Sequence, residues 1–353
     1  MTERPPSADQ LPEDREEVGI AAGGVSRPAA ARLGSGAVAL PEEPTGPGLE
    51  LTYESGVELK ARSQWAYARM RFFRHRLAVA SLVVLVALAF VAIFAKQVAP
   101  HGFNDQDLLN IAAKPSWEHP FGTDLLGRDY LSRVIFGLRT SLWVAFFVSI
   151  LSTLIGTAIG AVAGYYGGVI DNLLMRFTDL ILTLPGLAVL LTAAAFLGQE
   201  AQRIGPITIS QTVMIGLILA FLFWTGLARI VRGVFLSLRE KEFVEAARAS
   251  GASDLRIIVR HILPNTVGPI VVTMTLIVAT AILVEAALSF LGFGIQPPNP
   301  ALGSLIADGN VGGLGFWWLV TFPGLVIVLI ALAINFIGDG LRDALDPTQR
   351  IRA

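Results

Sequence analysis

Six long apolar runs are the feature of the sequence that most constrains its fold. They lie at 77–95, 142–165, 180–198, 211–233, 268–291 and 319–338. The first run carries no charged residue, and a helix of that length rises about 28 Å, close to the thickness of the hydrocarbon core of a bilayer. A helix is expected in each run because an isolated strand leaves its backbone groups unsatisfied in lipid. The sequence therefore predicts an all-α polytopic membrane protein with six transmembrane helices.

The amino-acid composition is typical of a membrane protein and argues against several classes of function. Hydrophobic residues make up 53% of the chain and charged residues 16%, against roughly 25% charged residues in ordinary soluble domains. The net charge of −1 gives no indication of nucleic-acid binding. The absence of cysteine excludes thiol nucleophiles and thiolate metal sites. The four histidines, His75, His101, His119 and His261, are scattered without metal-ligand spacing, so we expect no metal site.

The distribution of Lys and Arg predicts the orientation. Basic residues are dense in the juxtamembrane segment 59–76 and in the loop 234–267, whereas 292–318 contains no Lys or Arg. The positive-inside rule then places both termini, including the tail at 346–353, in the cytoplasm. The segment 96–141 carries five basic residues and is the weakest part of this assignment. We place it outside because the other loops agree.

The first 58 residues differ from the rest of the chain. They are rich in Pro, Gly, Ala and Glu and show no apolar periodicity, which predicts a disordered cytoplasmic tail. A regulatory role for this tail stays open. The first apolar run begins too far along the chain to be a signal peptide, so we assign 77–345 to the membrane domain.

Glycines recur in the second apolar run. Gly156, Gly160 and Gly164 are four residues apart and therefore form one flat ridge along a helix. Small residues let helix backbones approach closely in lipid. We interpret the ridge as a packing surface, within the bundle or against a partner, and not as a substrate contact.

The stretch 242–264, "EFVEAARASGASDLRIIVRHILP", interrupts the apolar runs. Its first part predicts a helix with a narrow face of small residues, stopped by a left-handed Gly251. Ser253 is expected to cap a second helix, which Pro264 ends or kinks. The apolar stripe of that helix comprises Leu255, Ile258, Val259 and Ile262. These residues alone leave two interpretations open: a helix pair on which another protein acts, or a connecting loop whose helix rests on lipid.

The same stretch resembles the signature loop of ABC-importer permeases. That pattern is Glu-Ala-Ala, three residues, Gly, nine residues, Ile, any residue, Leu-Pro. Here Glu245, Ala246 and Ala247 are followed at the same spacing by Gly251, and Leu263 and Pro264 close the pattern. His261 stands where the pattern has Ile. The resemblance implies that this loop is a coupling helix that docks into a groove on an ATPase subunit, with Glu245 as its anchor.

Three other segments narrow the resemblance. Residues 119–142, 285–309 and 335–347 are similar to corresponding parts of dipeptide and oligopeptide importer permeases, specifically the C-type subunit. The resemblance extends over roughly 70–350. It implies six helices in the type I importer permease fold, with a cytoplasmic coupling helix, in a bacterial plasma membrane.

The resemblance also implies partners and excludes catalysis by this chain. The expected partners are a second, B-type permease, two ATPase domains, an extracytoplasmic peptide-binding protein and membrane lipid, with no nucleic acid. The sequence contains no Gly-x-x-x-x-Gly-Lys-[Ser/Thr] loop to cradle phosphates. ATP and Mg²⁺ are therefore expected on the ATPase subunits, and this chain is expected to be a non-catalytic subunit without a cofactor.

Glu285 lies within the fifth apolar run, near its external end. An ionisable residue inside a membrane is costly and is a functional candidate for that reason. It can line the translocation path or make a structural hydrogen bond, and its shallow position favours the structural role.

Two further groups of charged residues are interpreted as structural. One is expected to form a charge cluster in a short loop between the second and third spans, and the other is expected to form a turn instead of an acid site. The first group is Asp171, Arg176 and Asp179, and the second is Asp124, Arg128 and Asp129 with His119.

The alternative function is a self-sufficient secondary transporter or channel. It predicts carboxylates near the middle of the membrane and internally repeated, broken helices. Only Glu285 comes near this pattern, and the sequence shows no clear repeat. We therefore expect a permease subunit of an ATP-driven importer.

Overall fold

The computed structural model describes residues 64–197, 202–204 and 207–345. The predicted tails at 1–58 and 346–353 lie outside these described residues, as do Lys60 and Arg62 of the basic juxtamembrane segment.

The described residues are almost entirely helical. Helices α1 to α6 are Gln64–Arg74, Arg76–Ile93, Ala95–Val98, Tyr130–Tyr166, Gly168–Thr183 and Gly186–Leu197. A small antiparallel hairpin of β1, Gln202–Ile204, and β2, Ile207–Ile209, follows. Helices α7 to α12 are Gln211–Leu238, Glu242–Ala249, Asp254–Arg256, Leu263–Phe290, Leu302–Val311 and Trp317–Leu345. A π-helix, Ile257–Ile262, joins α9 to α10, and a 3₁₀ turn, Leu314–Phe316, precedes α12. The expected all-α fold is confirmed, with the hairpin as a minor addition.

Among the described residues, five helical segments are long and apolar enough to cross a membrane: α2, α4, α7, the continuous segment from α9 through α10, and α12. The third predicted span, 180–198, is wrong as a single straight helix. Instead, α5 and α6 form a pair bent by 83°, which makes a sixth crossing only if the pair counts as one span. The bend lies at Pro185, because the residue before a proline avoids the helical conformation. Leu184 is accordingly extended, with φ −69° and ψ 140°.

Helix α4 is longer than the apolar run that predicted it. Its 37 residues rise about 55 Å, which exceeds the hydrocarbon thickness, so the helix extends beyond the apolar layer. Asp129 sets its start, since the carboxylate accepts a hydrogen bond from the Ser132 backbone N–H at 2.8 Å. Gly167, with φ +66°, follows its last residue. The helix therefore connects two distant ends of the bundle.

The two ends of the bundle are distinguished by a short helix at each: α8 lies at one end and α11 at the other. At the α8 end, α4 and α7 finish and α10 begins. At the α11 end, α4 and α7 begin and α10 finishes. Helices α4 and α7 run parallel, because Gly156 lies against Trp224 and Gly164, further along, lies against Phe235.

The glycine ridge lies directly against α7. A methyl group at Gly160 would lie 2.5 Å from the Ala228 carbonyl oxygen, and one at Gly156 would lie 2.7 Å from the Trp224 carbonyl oxygen. At Gly164 the added carbon would lie 2.5 Å from the Phe235 Cβ. The two backbones therefore touch, as small residues permit between helices in a membrane.

The outer faces of the spanning helices carry exposed apolar side chains. Val86 and Phe90 on α2, Leu154 on α4 and Leu325 on α12 are all more than half exposed. Apolar surface of this extent is rare on soluble monomers. It is the surface that a bilayer covers.

Replacement of a ridge glycine tests the α4–α7 contact. We expect Gly160→Ala to destabilise the fold by about 1–3 kcal/mol through overpacking, measured as a lower thermal midpoint in detergent. Gly226→Ala on α7 is the matched control, because nothing lies within 4 Å of the added carbon and alanine favours a helix. Equal midpoints for the two variants would show that the ridge is not a tight contact.

Candidate functional site

The short helix α8 has one anchored face and one exposed face. Val244 is fully buried and belongs to an apolar cluster with Phe235, Ile257 and Ile262. The residues on the other side of α8 are exposed, and they are mostly small or charged. These are Glu245, Ala246, Ala249 and, just after the helix, Ser250. Such a face can approach another protein closely.

Gly251 ends α8 with φ +77°, the left-handed conformation expected of a helix stop. Its backbone N–H donates to the Arg248 carbonyl at 3.0 Å, and the Ala252 N–H donates to the Ala247 carbonyl at 3.1 Å. These bonds satisfy carbonyls that the end of the helix leaves free. The chain then reverses toward α9.

The expected side-chain cap at Ser253 is wrong. Ser253 occupies the N-cap position of α9 in an extended conformation, but its side chain makes no capping hydrogen bond. Its carbonyl accepts a hydrogen bond from the Ile257 N–H at 3.0 Å. The neighbouring Asp254 carboxylate instead accepts a hydrogen bond from the Tyr165 hydroxyl at 2.7 Å. This bond links the segment to the last turn of α4.

The π-helix changes which face of the second helix is buried. Ile257 and Ile262, five residues apart, are fully buried, and Ile258 is partly buried. Leu255 is 71% exposed and Val259 is 52% exposed. The predicted apolar stripe is therefore divided: Ile258 and Ile262 pack on the bundle, whereas Leu255 and Val259 do not. Its spacing assumed 3.6 residues per turn, whereas a π-helix bonds residue i to i+5.

Pro264 does not end this helix. It lies in the first turn of α10, which begins at Leu263, and a proline is tolerated there because it lacks an N–H that the first turn leaves unpaired. The second member of the predicted interfacial pair is thus the start of the spanning segment Asp254–Phe290. Helix α8 therefore packs, through Val244, against the start of a membrane span.

Two ion pairs join α5 to α7. The Arg232 guanidinium donates two hydrogen bonds to the Asp171 carboxylate, one of them at 2.6 Å, and Arg229 forms an ion pair with Asp179. The predicted cluster is therefore wrong in two respects. Asp171, Arg176 and Asp179 lie on α5 and not in a loop, and the partners of the two acids are arginines of α7. Arg176 is exposed.

Arg239, at the end of α7, binds the end of α4. Its guanidinium donates to the Gly164 carbonyl at 3.3 Å and to the Tyr165 carbonyl at 3.4 Å. The last turn of α4 therefore contacts α7 through Arg239 and the α9 segment through Asp254. Together these bonds hold the residues on either side of α8 against the end of α4.

Glu285 is fully buried within α10. Its Oε1 accepts a hydrogen bond from the Ser289 hydroxyl at 2.7 Å, whereas Oε2 has no hydrogen-bond partner within the described residues. The Ser289 hydroxyl also accepts from the Ile295 N–H at 3.2 Å. Glu285 thus helps to tie the end of α10 to the following loop, and its contact with a translocation path stays a prediction.

At the α11 end, Asp124 organises a turn. Its carboxylate accepts hydrogen bonds from Arg128 Nε at 2.6 Å and from the Arg133 guanidinium at 2.5 Å. It also accepts from the backbone N–H groups of Leu126 and Arg128, both at 2.9 Å. This geometry agrees with the turn-forming interpretation of Asp124 and Arg128.

His119 and Asp129 are separate from this turn. His119 Nδ1 lies 2.9 Å from Asp129 Oδ1, and both residues are buried. His101 joins them, so that one ligand atom from each of the three lies within 4.8 Å of the other two. Asp107 lies alongside, with a pKa lowered by the hydrogen bond that its carboxylate accepts from the Asn110 side chain. Spacing along the chain had indicated no such cluster.

Family comparison identifies the fold that carries these features. A family model described as "Binding-protein-dependent transport system inner membrane component" matches residues 156–351, which include α8 and the spans on either side of it. The chain belongs to this family. A second model, "N-terminal TM domain of oligopeptide transport permease C", matches residues 63–115. The protein is therefore a multi-pass membrane permease component of a binding-protein-dependent transport system.

Relatives of known name align over most of this permease. The oligopeptide transport system permease protein OppC of Escherichia coli K12 is 41% identical, over 84% of this chain and 96% of that protein. The protein of the same name in Mycobacterium tuberculosis H37Rv is 40% identical, over 79% of this chain and 93% of that protein. A solved structure of the inward-facing MetNI methionine ABC transporter is 18% identical, with a TM-score of 0.49, and covers 62% of this permease and 98% of that chain.

The register of the π-helix can be tested with two alanine variants. We expect Ile262→Ala to lower the thermal midpoint of the permease by several degrees, because loss of a fully buried isoleucine costs about 2–5 kcal/mol. Leu255→Ala should leave the midpoint almost unchanged, since Leu255 is mostly exposed. Equal losses from the two variants would show that Leu255 and Ile262 share one buried face, as in a regular α-helix.

Proposed function

We propose that this permease is the C-type membrane subunit of an ATP-driven importer of dipeptides or oligopeptides. Two observations support the peptide substrate: the match of 63–115 to a domain of oligopeptide permease C, and the relatives of that name that align over most of their length. Family membership favours this function over a self-sufficient secondary transporter, because the family depends on a binding protein.

The assembly that we propose contains four further components. A second, B-type permease completes the translocation path, two ATPase domains bind α8 and its counterpart, and an extracytoplasmic protein delivers the peptide. ATP and Mg²⁺ bind to the ATPase domains, because this sequence has no phosphate-binding loop of its own. The permease itself is a non-catalytic subunit.

We propose that the α8 end faces the cytoplasm, together with both termini. Basic side chains near this end support the orientation, since cytoplasmic segments are enriched in Lys and Arg. They include Arg239, Lys241, Arg248, Arg256 and Arg260. At the α11 end, Arg128 and Arg133 are both paired with Asp124.

The observation that carries the proposal is the two-sided character of α8. Its exposed face, with Glu245 as anchor and Ala246 as a point of close approach, docks on an ATPase domain. Its buried face, through Val244, packs against Phe235 at the end of α7 and Ile262 at the start of α10. A shift of α8 that follows ATP binding therefore displaces the ends of two spanning helices together.

The bond between Tyr165 and Asp254 brings a third helix into this movement. Asp254 lies in α9, which is continuous with α10, and Tyr165 lies in the last turn of α4. Helix α4 is thereby tied to the same segment as α7 and α10. Gly251 completes the arrangement, because the reversal after α8 brings α9 back against the bundle.

Site-directed cross-linking tests the docking of α8. The chain contains no cysteine, so Ala246→Cys introduces its only thiol, at an exposed position; Ala247 of the same motif is half-buried and less suitable. In membranes that contain the whole transporter, we expect this thiol to cross-link to an ATPase subunit. We also expect the yield to change when ATP is added.

Leu109→Cys is the matched control for this experiment. Leu109 is 96% exposed but lies at the α11 end, so its thiol should not reach an ATPase subunit. Equal yields from both positions, or no ATPase adduct from Ala246→Cys in an assembled transporter, would contradict the docking of α8.

Two variants of Glu285 separate a structural role from a role in the translocation path. We expect Glu285→Gln to keep peptide uptake within about twofold of the parent. The amide oxygen of Gln still accepts the Ser289 hydrogen bond, and a neutral amide group is no more costly to bury than a carboxyl group. Glu285→Leu should lower the thermal midpoint by several degrees, since the Ser289 hydroxyl loses its partner. Loss of uptake in Glu285→Gln at an unchanged midpoint would assign Glu285 to the path.

A further inference from the structure

Three side chains from the connection between α3 and α4 meet at the α11 end of the bundle. His101 follows α3, His119 lies in the loop before α4, and Asp129 caps α4. We propose that His101, His119 and Asp129 form a binding site for a divalent transition-metal ion of the Zn²⁺ class. This site is independent of the proposed peptide import and lies at the end of α4 opposite α8.

The separations between the ligand atoms suit one ion. Two ligands bound at about 2.0 Å to the same tetrahedral ion lie about 3.3 Å apart. His119 Nδ1 lies 2.9 Å from Asp129 Oδ1, and His101 Nδ1 lies 3.8 Å from the same oxygen. The His101 side chain is 44% exposed, so its ring can turn to close the remaining gap. His119 and Asp129 are buried and provide the fixed part of the site.

The Asp129 carboxylate is held by groups around the site. Its Oδ2 accepts hydrogen bonds from the Ser132 backbone N–H at 2.8 Å and from the Ser132 hydroxyl at 2.7 Å. Oδ1 is thereby directed toward the two imidazoles. The Ser132 hydroxyl in turn accepts from the His101 backbone N–H at 3.1 Å, which fixes the backbone of the third ligand. Hydrogen-bonded supports of this kind orient the ligands of metal sites.

His119 has a second carboxylate on its other side. Its Nε2 lies 3.9 Å from Asp107 Oδ2. If Nδ1 binds an ion, the imidazole proton lies on Nε2 and points toward this carboxylate, as in the carboxylate–histidine–metal arrangement. If a neutral His119 instead donates from Nδ1 to Asp129, its Nε2 lone pair faces the Asp107 carboxylate, which is also an acceptor. A cation bound at Nδ1 removes this repulsion between two acceptors, because the proton then lies on Nε2.

An ion at this site would join the start of the connection between α3 and α4 to its last residues, next to the first turn of α4. The loop also packs on α12, because the Trp318 indole donates to the Thr123 carbonyl at 3.4 Å. The ion would therefore fasten the outer loop to the bundle. Two imidazoles and one carboxylate leave a fourth position for water.

The test is metal binding by the purified full-length permease in detergent, with an affinity tag that contains no histidine. After treatment with EDTA, the protein is titrated with Zn²⁺ by calorimetry and with Co²⁺ by visible absorption. We expect one saturable site per chain and Co²⁺ absorption bands typical of nitrogen and oxygen ligands. Zn²⁺ should also raise the thermal midpoint, because the ion binds only the folded protein.

Variants of the histidines identify the ligands. We expect His101→Ala and His119→Gln each to weaken Zn²⁺ binding at least tenfold and to abolish the Co²⁺ bands. His261→Ala is the matched control, because His261 lies in the π-helix at the α8 end, and it should bind as the parent does. His101→Ala should keep the parent midpoint in EDTA, since its side chain is exposed, so that loss of binding cannot be attributed to unfolding.

Three results would overturn the site. They are the absence of saturable binding to the parent protein, binding that persists in both His101→Ala and His119→Gln, and binding that His261→Ala removes.

Discussion

The contact between α4 and α7 along the glycine ridge is the interaction on which the rest of the structure depends. Because Gly160 leaves no side chain between the helices, the Ala228 carbonyl can lie in the space that a methyl group would fill. This close approach brings Arg239 to the last carbonyls of α4. It also leaves Tyr165 free to reach the segment that follows α8. The attachment of α8 to the bundle thus depends on the packing of two membrane spans, α4 and α7.

A permease that is driven by another protein needs one element that is exposed to the driver and packed against the spans. In this chain α8 has both properties, through small exposed residues such as Ala246 and a fully buried Val244. The segment from α9 through the π-helix to α10 is continuous, and residues 250–253 join α8 to its start. In the proposed function, a force applied to α8 is transmitted through packed side chains.

Much of this architecture could be predicted from local patterns. Apolar runs located the spans, and Gly251 marked a left-handed helix stop that the structure contains. Features that depend on contacts between distant residues could not be predicted. The helix periodicity gave no sign of the π-helix that buries Ile257, and the apolar run at 180–198 concealed the bend at Pro185. The meeting of His101 and His119 is visible only once the connection between α3 and α4 folds back on itself.

The central claim is that this permease works as one subunit of an ATP-driven assembly. The most direct test is to purify the tagged permease from its native membrane in mild detergent and to identify the accompanying proteins by mass spectrometry. The account predicts a second permease and ATPase subunits in stable proportion, with ATP hydrolysis by the purified assembly. A permease that purifies alone and moves solute across liposomes without ATP would contradict it.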